Sequence, residues 1–386
     1  MMSTQNLLRR GGLGLLRRYT TIAEPAAVQD IQIDHFRTNE TNPINHDKKH
    51  LNRFYKLPNQ VRQKLFQHGG LPQNLLSQFD TFFENCILIR EPALEIISYL
   101  KATDYSRPVN RYVLYGENGT GKTLTMAHVM HYGLETKKII IHTGWIPDWF
   151  RRPKEIVLST KKQGFYDLPV DAAAFLVHFK HQNSELLAEL DLRLSKDYEW
   201  SSREQNPKGS PLIDLIDLGI TRIKFSCDIV DAVVDELKIL SSKGQCSCLV
   251  FIDGFNSLFG TSTELRVENR KLVYPYQVTL TDTLLKLTKY DWSNGAVILT
   301  LDKLAVDRKA AESHYPHYLL GKEGFEHLDP FLPIQVNDYS NEEFENVMDY
   351  YRDRKWIRNV TENGQKELEL VSNKNPYLLM KFTGPL

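Results

Sequence analysis

Residues 116–123 read GENGTGKT and satisfy every fixed position of G-x-x-x-x-G-K-[ST]. The apolar run Tyr112, Val113, Leu114, Tyr115 leads directly into them, and in residues 124–134 Leu124, Ala127, Met130 and Leu134 recur at helical spacing. A strand that turns through glycines into a helix N-terminus is a phosphate-binding loop, and it restricts the chain to an α/β fold with the loop at the end of a core strand. In such a loop Gly116, Gly119 and Gly121 let the backbone N–H groups, those of Asn118 and Thr120 included, turn inward around phosphates. Lys122 then reaches the β- and γ-oxygens, and the Thr123 hydroxyl coordinates Mg²⁺.

Four further β-rich apolar runs, 139–142, 249–253, 296–301 and 332–336, lack polar alternation. That pattern predicts parallel strands covered on both faces. Between the second and third sheet runs, residues 144–245 are too long for a loop. Helical periodicity over 172–194 and 226–240, around a polar segment at 195–211, predicts a helical insertion. After Val336, Ser340 with Glu343 three residues later forms a capping-box signature, followed by Phe344, Val347, Met348 and Tyr351 on one helical face. The expected architecture is an AAA-like P-loop NTPase: a parallel sheet over 87–336 with an insertion at about 144–245, and a small helical lid over 337–386. Residues 20–86 carry scattered aromatic residues among Asn, Gln, Pro58 and Gly69-Gly70, and read as an extension that packs on the domain or on partners.

A P-loop needs a carboxylate at the end of a neighbouring strand for the metal's water shell. Leu249, Val250, Phe251, Ile252, Asp253 supplies it, which assigns Asp253 and Thr123 to Mg²⁺. Active AAA-like ATPases usually place Glu after that Asp to activate water, and this chain has Gly254. Asn256 can orient a water but is a poor proton acceptor, so hydrolysis is expected to be slow or absent. Thr300 falls at a sensor-like position or is simply a strand residue. Arg266, Arg270 and Arg308 are unranked candidates for stabilising charge. No catalytic residue is assigned. The guanine-reading N-K-x-D motif is absent, since Asn373-Lys374-Asn375-Pro376 has Pro where Asp belongs, and the residues alone do not separate ATP from GTP.

Residues 1–19 hold Arg9, Arg10, Arg17 and Arg18 among leucines, with no acid before Glu24. This is the composition of a mitochondrial transit peptide cut after Tyr19. The whole chain has 48 basic and 48 acidic residues, so loss of the four arginines leaves −4. Diffuse attraction to nucleic acid is therefore weak, and any RNA contact would rest on patches such as Lys48, Lys49, His50, Arg53 and Lys56. Cys86, Cys227, Cys246 and Cys248 are too few for a disulfide framework and point to a reducing compartment. No run of about 18 uncharged apolar residues is present to span a membrane.

Several stretches together carry a family resemblance: LIREPALEIISYLK, RYVLYGENGTGKTLTMAHVMHYG, GSPLIDLIDLGITR, LLGKEGFEHLDPFLPIQVNDYSNEEFENVMDYY and SNKNPYLL. From about Ile87 to Leu379 the chain resembles the death-associated protein 3 family, a P-loop component of the mitochondrial small ribosomal subunit. The resemblance implies a matrix ribosomal protein that binds GTP or GDP with Mg²⁺. Its implied partners are small-subunit proteins, rRNA and large-subunit bridge proteins, and the family has a reported link to apoptosis. It implies that residues 116–123 bind phosphates and Asp253 serves the metal; Gly254 in place of the water-activating Glu limits activity to at most that of a slow GTPase. The competing expectation is a soluble matrix AAA-like NTPase acting as a switch or remodelling enzyme.

Overall fold

The unalternating runs form one parallel sheet. In the computed structural model, which describes residues 35–384 apart from 262, 268, 269, 307–311 and 359, its strands are β1 (Asn110–Tyr115), β2 (Ile139–Thr143), β3 (Cys248–Ile252), β4 (Gly295–Thr300) and β5 (Leu332–Gln335). The expected leader over 1–19 and Arg308 lie outside the described residues. Strand order is β5-β1-β4-β3-β2, with every pairing parallel. Successive side chains alternate between two cores, both apolar. Val113, Ile139, Ile141, Val250, Ile252, Val297 and Leu299 enter one, and Tyr112, Leu114, Ile140, Leu249, Phe251, Ala296 and Ile298 enter the other. Burial on both faces is the physical reason for runs without polar residues.

Helices α1 (Glu91–Ala102) and α2 (Lys122–Glu135) fill the second core. The insertion helices α3 (Pro169–Glu189), α4 (Leu212–Thr221) and α5 (Ser226–Ser242), with α6 (Thr279–Leu287), fill the first. Helix α3 ends five residues before the expected 194, because Leu190 turns to extended geometry. Leu192 and Leu194 remain buried but pair by backbone with Leu212 and Ser210. Asn183 on α3 closes the edge strand β2: its amide accepts from Ile140 N and donates to Ile140 O, both at 2.8 Å. A side chain thereby occupies backbone groups that an edge strand otherwise leaves open. The polar segment 195–211 forms a hairpin of Tyr198–Ser201 with Glu204–Asn206. Buried Glu236 anchors it, accepting from Ser195 N, Ser195 Oγ and Tyr198 Oη.

Helix α7 (Pro316–Leu328) precedes β5, and α8 (Asn341–Asp353), α9 (Glu362–Ser372) and α10 (Pro376–Thr383) make the C-terminal lid. The Ser340–Glu343 capping box forms in both directions. Phe344, Val347, Met348, Tyr350, Tyr351 and Leu379 pack with Leu88 and with Phe36, Phe54, Phe82 and Cys86 of the N-terminal extension. Tyr55, Leu57, Leu65 and Phe79 of that extension enter the core around α2. The extension thus contributes apolar side chains to two cores. Phe344→Ala is expected to lose about 3–5 kcal/mol through cavity formation, read by equilibrium denaturant unfolding.

Candidate nucleotide site

Parallel register brings the C-terminal ends of β1, β4 and β3 side by side, the position where open α/β sheets bind ligands. The 116–123 loop leaves β1 there. Gly116, Gly119 and Gly121 all have positive φ. A Cβ at Gly116 would lie 2.2 Å from Val336 O, and one at Gly119 would lie 2.6 Å from Tyr377 Cβ, so the loop requires glycine at both. Helix α2 starts with no side-chain cap, which leaves its N-terminal donors and positive dipole end available for an anion. Asn118, Gly119, Gly121, Lys122 and Thr123 line a cavity of about 590 Å³. The Thr120 side chain is buried and donates to Glu117 O at 3.1 Å, so it braces the loop from within.

Thr123 Oγ1 donates to Asp253 Oδ2 at 2.9 Å, joining the two expected metal residues. Thr300 Oγ1 donates to Asp253 Oδ1 and accepts from Gly254 N. Burial pushes the Asp253 carboxyl above its ordinary range, while the hydrogen bonds from Thr300 and Thr123 and the charge of Lys122 pull it back. Lys122, itself buried, donates to Gly116 O and Glu117 O and forms a 2.9 Å ion pair with Asp302 Oδ2. The glycine cradle, the uncapped helix and the Thr123–Asp253 pair fit a phosphate chain with Mg²⁺. Lys122 would hold the phosphates, and Thr123 with Asp253 would hold the metal.

The lid is fastened to this loop. Arg90, buried at the start of α1, donates to Thr120 O at 2.6 Å and to Asn337 O at 2.9 Å, and pairs with Glu343 through Nε at 2.7 Å. From the lid, Asn375 Nδ2 donates to Asn118 O at 3.0 Å, and Tyr377 N to Gly119 O at 3.1 Å. The segment that fails as a guanine motif therefore docks onto the loop. The cavity is completed by Tyr377 and Met380 from the lid and by Leu71, Pro72 and Leu75 from the N-terminal extension.

Residues 87–382 match the family described as mitochondrial ribosomal death-associated protein 3. The chain belongs to that family. It is 38% identical over 356 residues to the small ribosomal subunit protein mS29 of Mus musculus, covering 91% of this chain and 89% of the relative. It is 39% identical over 352 residues to mS29 of Bos taurus, covering 90% and 87%. Among solved structures, it is similar to the Walker-type ATPase paby2304 of Pyrococcus abyssi (TM-score 0.40, 14% identity, 76% of this chain and 65% of that one). It is also similar to the ORC2 protein of Aeropyrum pernix in its ADP form (TM-score 0.38, 15% identity, 79% and 64%).

In this member of the family, the geometry accounts for the absence of a glutamate at 254. Gly254 has φ 74°, and a Cβ there would lie 2.8 Å from Pro147 Cδ and 3.1 Å from Trp145 Cζ3. Asn256 is corrected from a water-orienting candidate to a structural clamp: its amide donates to Asp302 O and accepts from Asp302 N, and it is fully buried. Arg266 and Arg270 are exposed and do not line the cavity. Arg90, Asp302 and the walls from 70–78 and 376–380 are the site residues that sequence reasoning missed. Their available signals were an Arg within LIREPALE and an Asp two residues after a strand-end Thr.

Gly254→Glu is expected to lose about 2–4 kcal/mol from the left-handed backbone and the Pro147 clash, and phosphate release should not rise. Thermal unfolding and a phosphate-release assay check both. Arg90→Met leaves Glu343 buried without its cation, an expected loss of about 3–5 kcal/mol. The double variant with Glu343→Met should recover a substantial part of it in denaturant unfolding.

Proposed function

We propose that the chain is a structural component of the mitochondrial small ribosomal subunit, and that its P-loop holds a guanine nucleotide with Mg²⁺ which supports assembly and translation. The observation that carries this reading is the wall of the cavity. It is built from the loop, the lid and the N-terminal extension together, so a ligand seated there makes contact with three separate parts of the chain. A ligand that binds the folded form alone stabilises it by mass action. Gly254, with no room for a side chain, supports slow turnover at most. Guanine preference rests on the family resemblance, as do the rRNA, small-subunit and bridge-protein partners and the matrix location.

The test is to sediment mitochondrial lysate on a sucrose gradient and identify by chromatography the nucleotide released from the protein in its peak fraction. Stoichiometric guanine nucleotide in the small-subunit fraction is expected. Free protein carrying adenine nucleotide would instead support the soluble NTPase reading. Lys122→Ala should weaken Mg²⁺-nucleotide binding by about a hundredfold, the loss typical of removing a buried charge partner, and should deplete the protein from the small-subunit peak. Normal assembly of a nucleotide-free Lys122→Ala protein would sink the supporting role.

A further inference from the structure

We propose that Asp302 makes this a site for a nucleoside diphosphate and discriminates against the γ-phosphate of a triphosphate; this rests on the nucleotide-binding reading above. A P-loop lysine ordinarily bridges β- and γ-oxygens. Here Lys122 is already paired with Asp302, at 2.9 Å, and both are nearly excluded from solvent.

The carboxylate is held in place on every side. Its Oδ1 accepts from Leu304 N at 2.8 Å as the cap of a short helical turn, and its own N–H and C=O are both taken by the buried Asn256 amide. It therefore does not swing away from Lys122 without breaking a cap.

The charge around the ligand points the same way. Among the described residues that line the cavity, Lys122 is the one Lys or Arg, facing the carboxylates of Asp148, Asp253 and Asp302. Nearby Lys303 and His314 are engaged by Glu117. A β-phosphate can replace the Gly116 and Glu117 carbonyls on the Lys122 ammonium, which has three donors, while Asp302 keeps the third. A γ-phosphate on Lys122 brings further negative oxygens against a fixed carboxylate, in a cavity with no second lysine or arginine among the described residues to offset them.

The experiment is titration calorimetry of the purified chain with Mg²⁺ and GDP, ADP and their β,γ-imido triphosphate counterparts. The wild-type protein is expected to bind the diphosphate of its preferred base at least about tenfold more tightly than the imido triphosphate. Asp302→Asn keeps the cap on Leu304 N and should bring that ratio close to one by raising triphosphate affinity, with diphosphate affinity changed by less than about threefold; repulsion between close like charges sets this scale. A wild-type ratio near one, or one favouring the triphosphate, overturns the proposal without any variant. An equal gain for both ligands in Asp302→Asn also overturns it, since Asp302 would then only compete for Lys122. If neither diphosphate nor triphosphate binds, the nucleotide-binding reading itself fails.

Discussion

The guanidinium of Arg90 is the point at which the architecture is tied together. It leaves the start of α1, donates to the loop carbonyl of Thr120, reaches the backbone after β5 at Asn337, and pairs with Glu343 in the first turn of the lid. A buried guanidinium is tolerated only where its donors are taken by well-placed acceptors. Glu343 is committed as well, since it closes the capping box with Ser340. The start of α8, the exit of β5 and the phosphate loop are therefore fixed by one cation.

The same economy governs the acidic half of the site. Asp253 is buried and shared between Thr123 and Thr300, so the helix after the loop and two strand ends meet on one carboxylate. Asn256 sets the backbone of Asp302, and Asp302 sets Lys122. The left-handed turn at Gly254 sends the chain from Asp253 toward Asn256 beneath Trp145 and Pro147. The space a side chain at 254 would need is filled by Pro147 and Trp145. The glycine there is thus a steric requirement of the surrounding segment as well as a choice of one residue.

What was legible in the sequence was what local pattern encodes. The sheet strands were readable because residues such as Leu249 and Val250 are buried on opposite faces, which removes polar residues from the run. The phosphate loop was readable because its glycines and Lys122 have fixed spacing, and Ser340 with Glu343 because a capping box is contained in four residues. The limit of α3 was misplaced because Leu192 and Leu194 continue an apolar period while the backbone is already extended. Asn256 was misassigned because the direction of its side chain follows from the positive φ of Gly254. Arg90 and Asp302 act through partners 253 and 180 residues away in the chain, a relation that no local window contains.

The walls of the cavity come from residues 70–78, 118–124, 145–148 and 376–380 among others. The eight-residue loop can be complete while the enclosure is not, because Tyr377 and Met380 are supplied only by the last helix. A chain delivered N-terminus first thus carries its phosphate motif long before it carries a closed binding site. Ligand retention reports that residues 70–78 and 376–380 have both docked around the loop, which makes the pocket a physical record of completed folding.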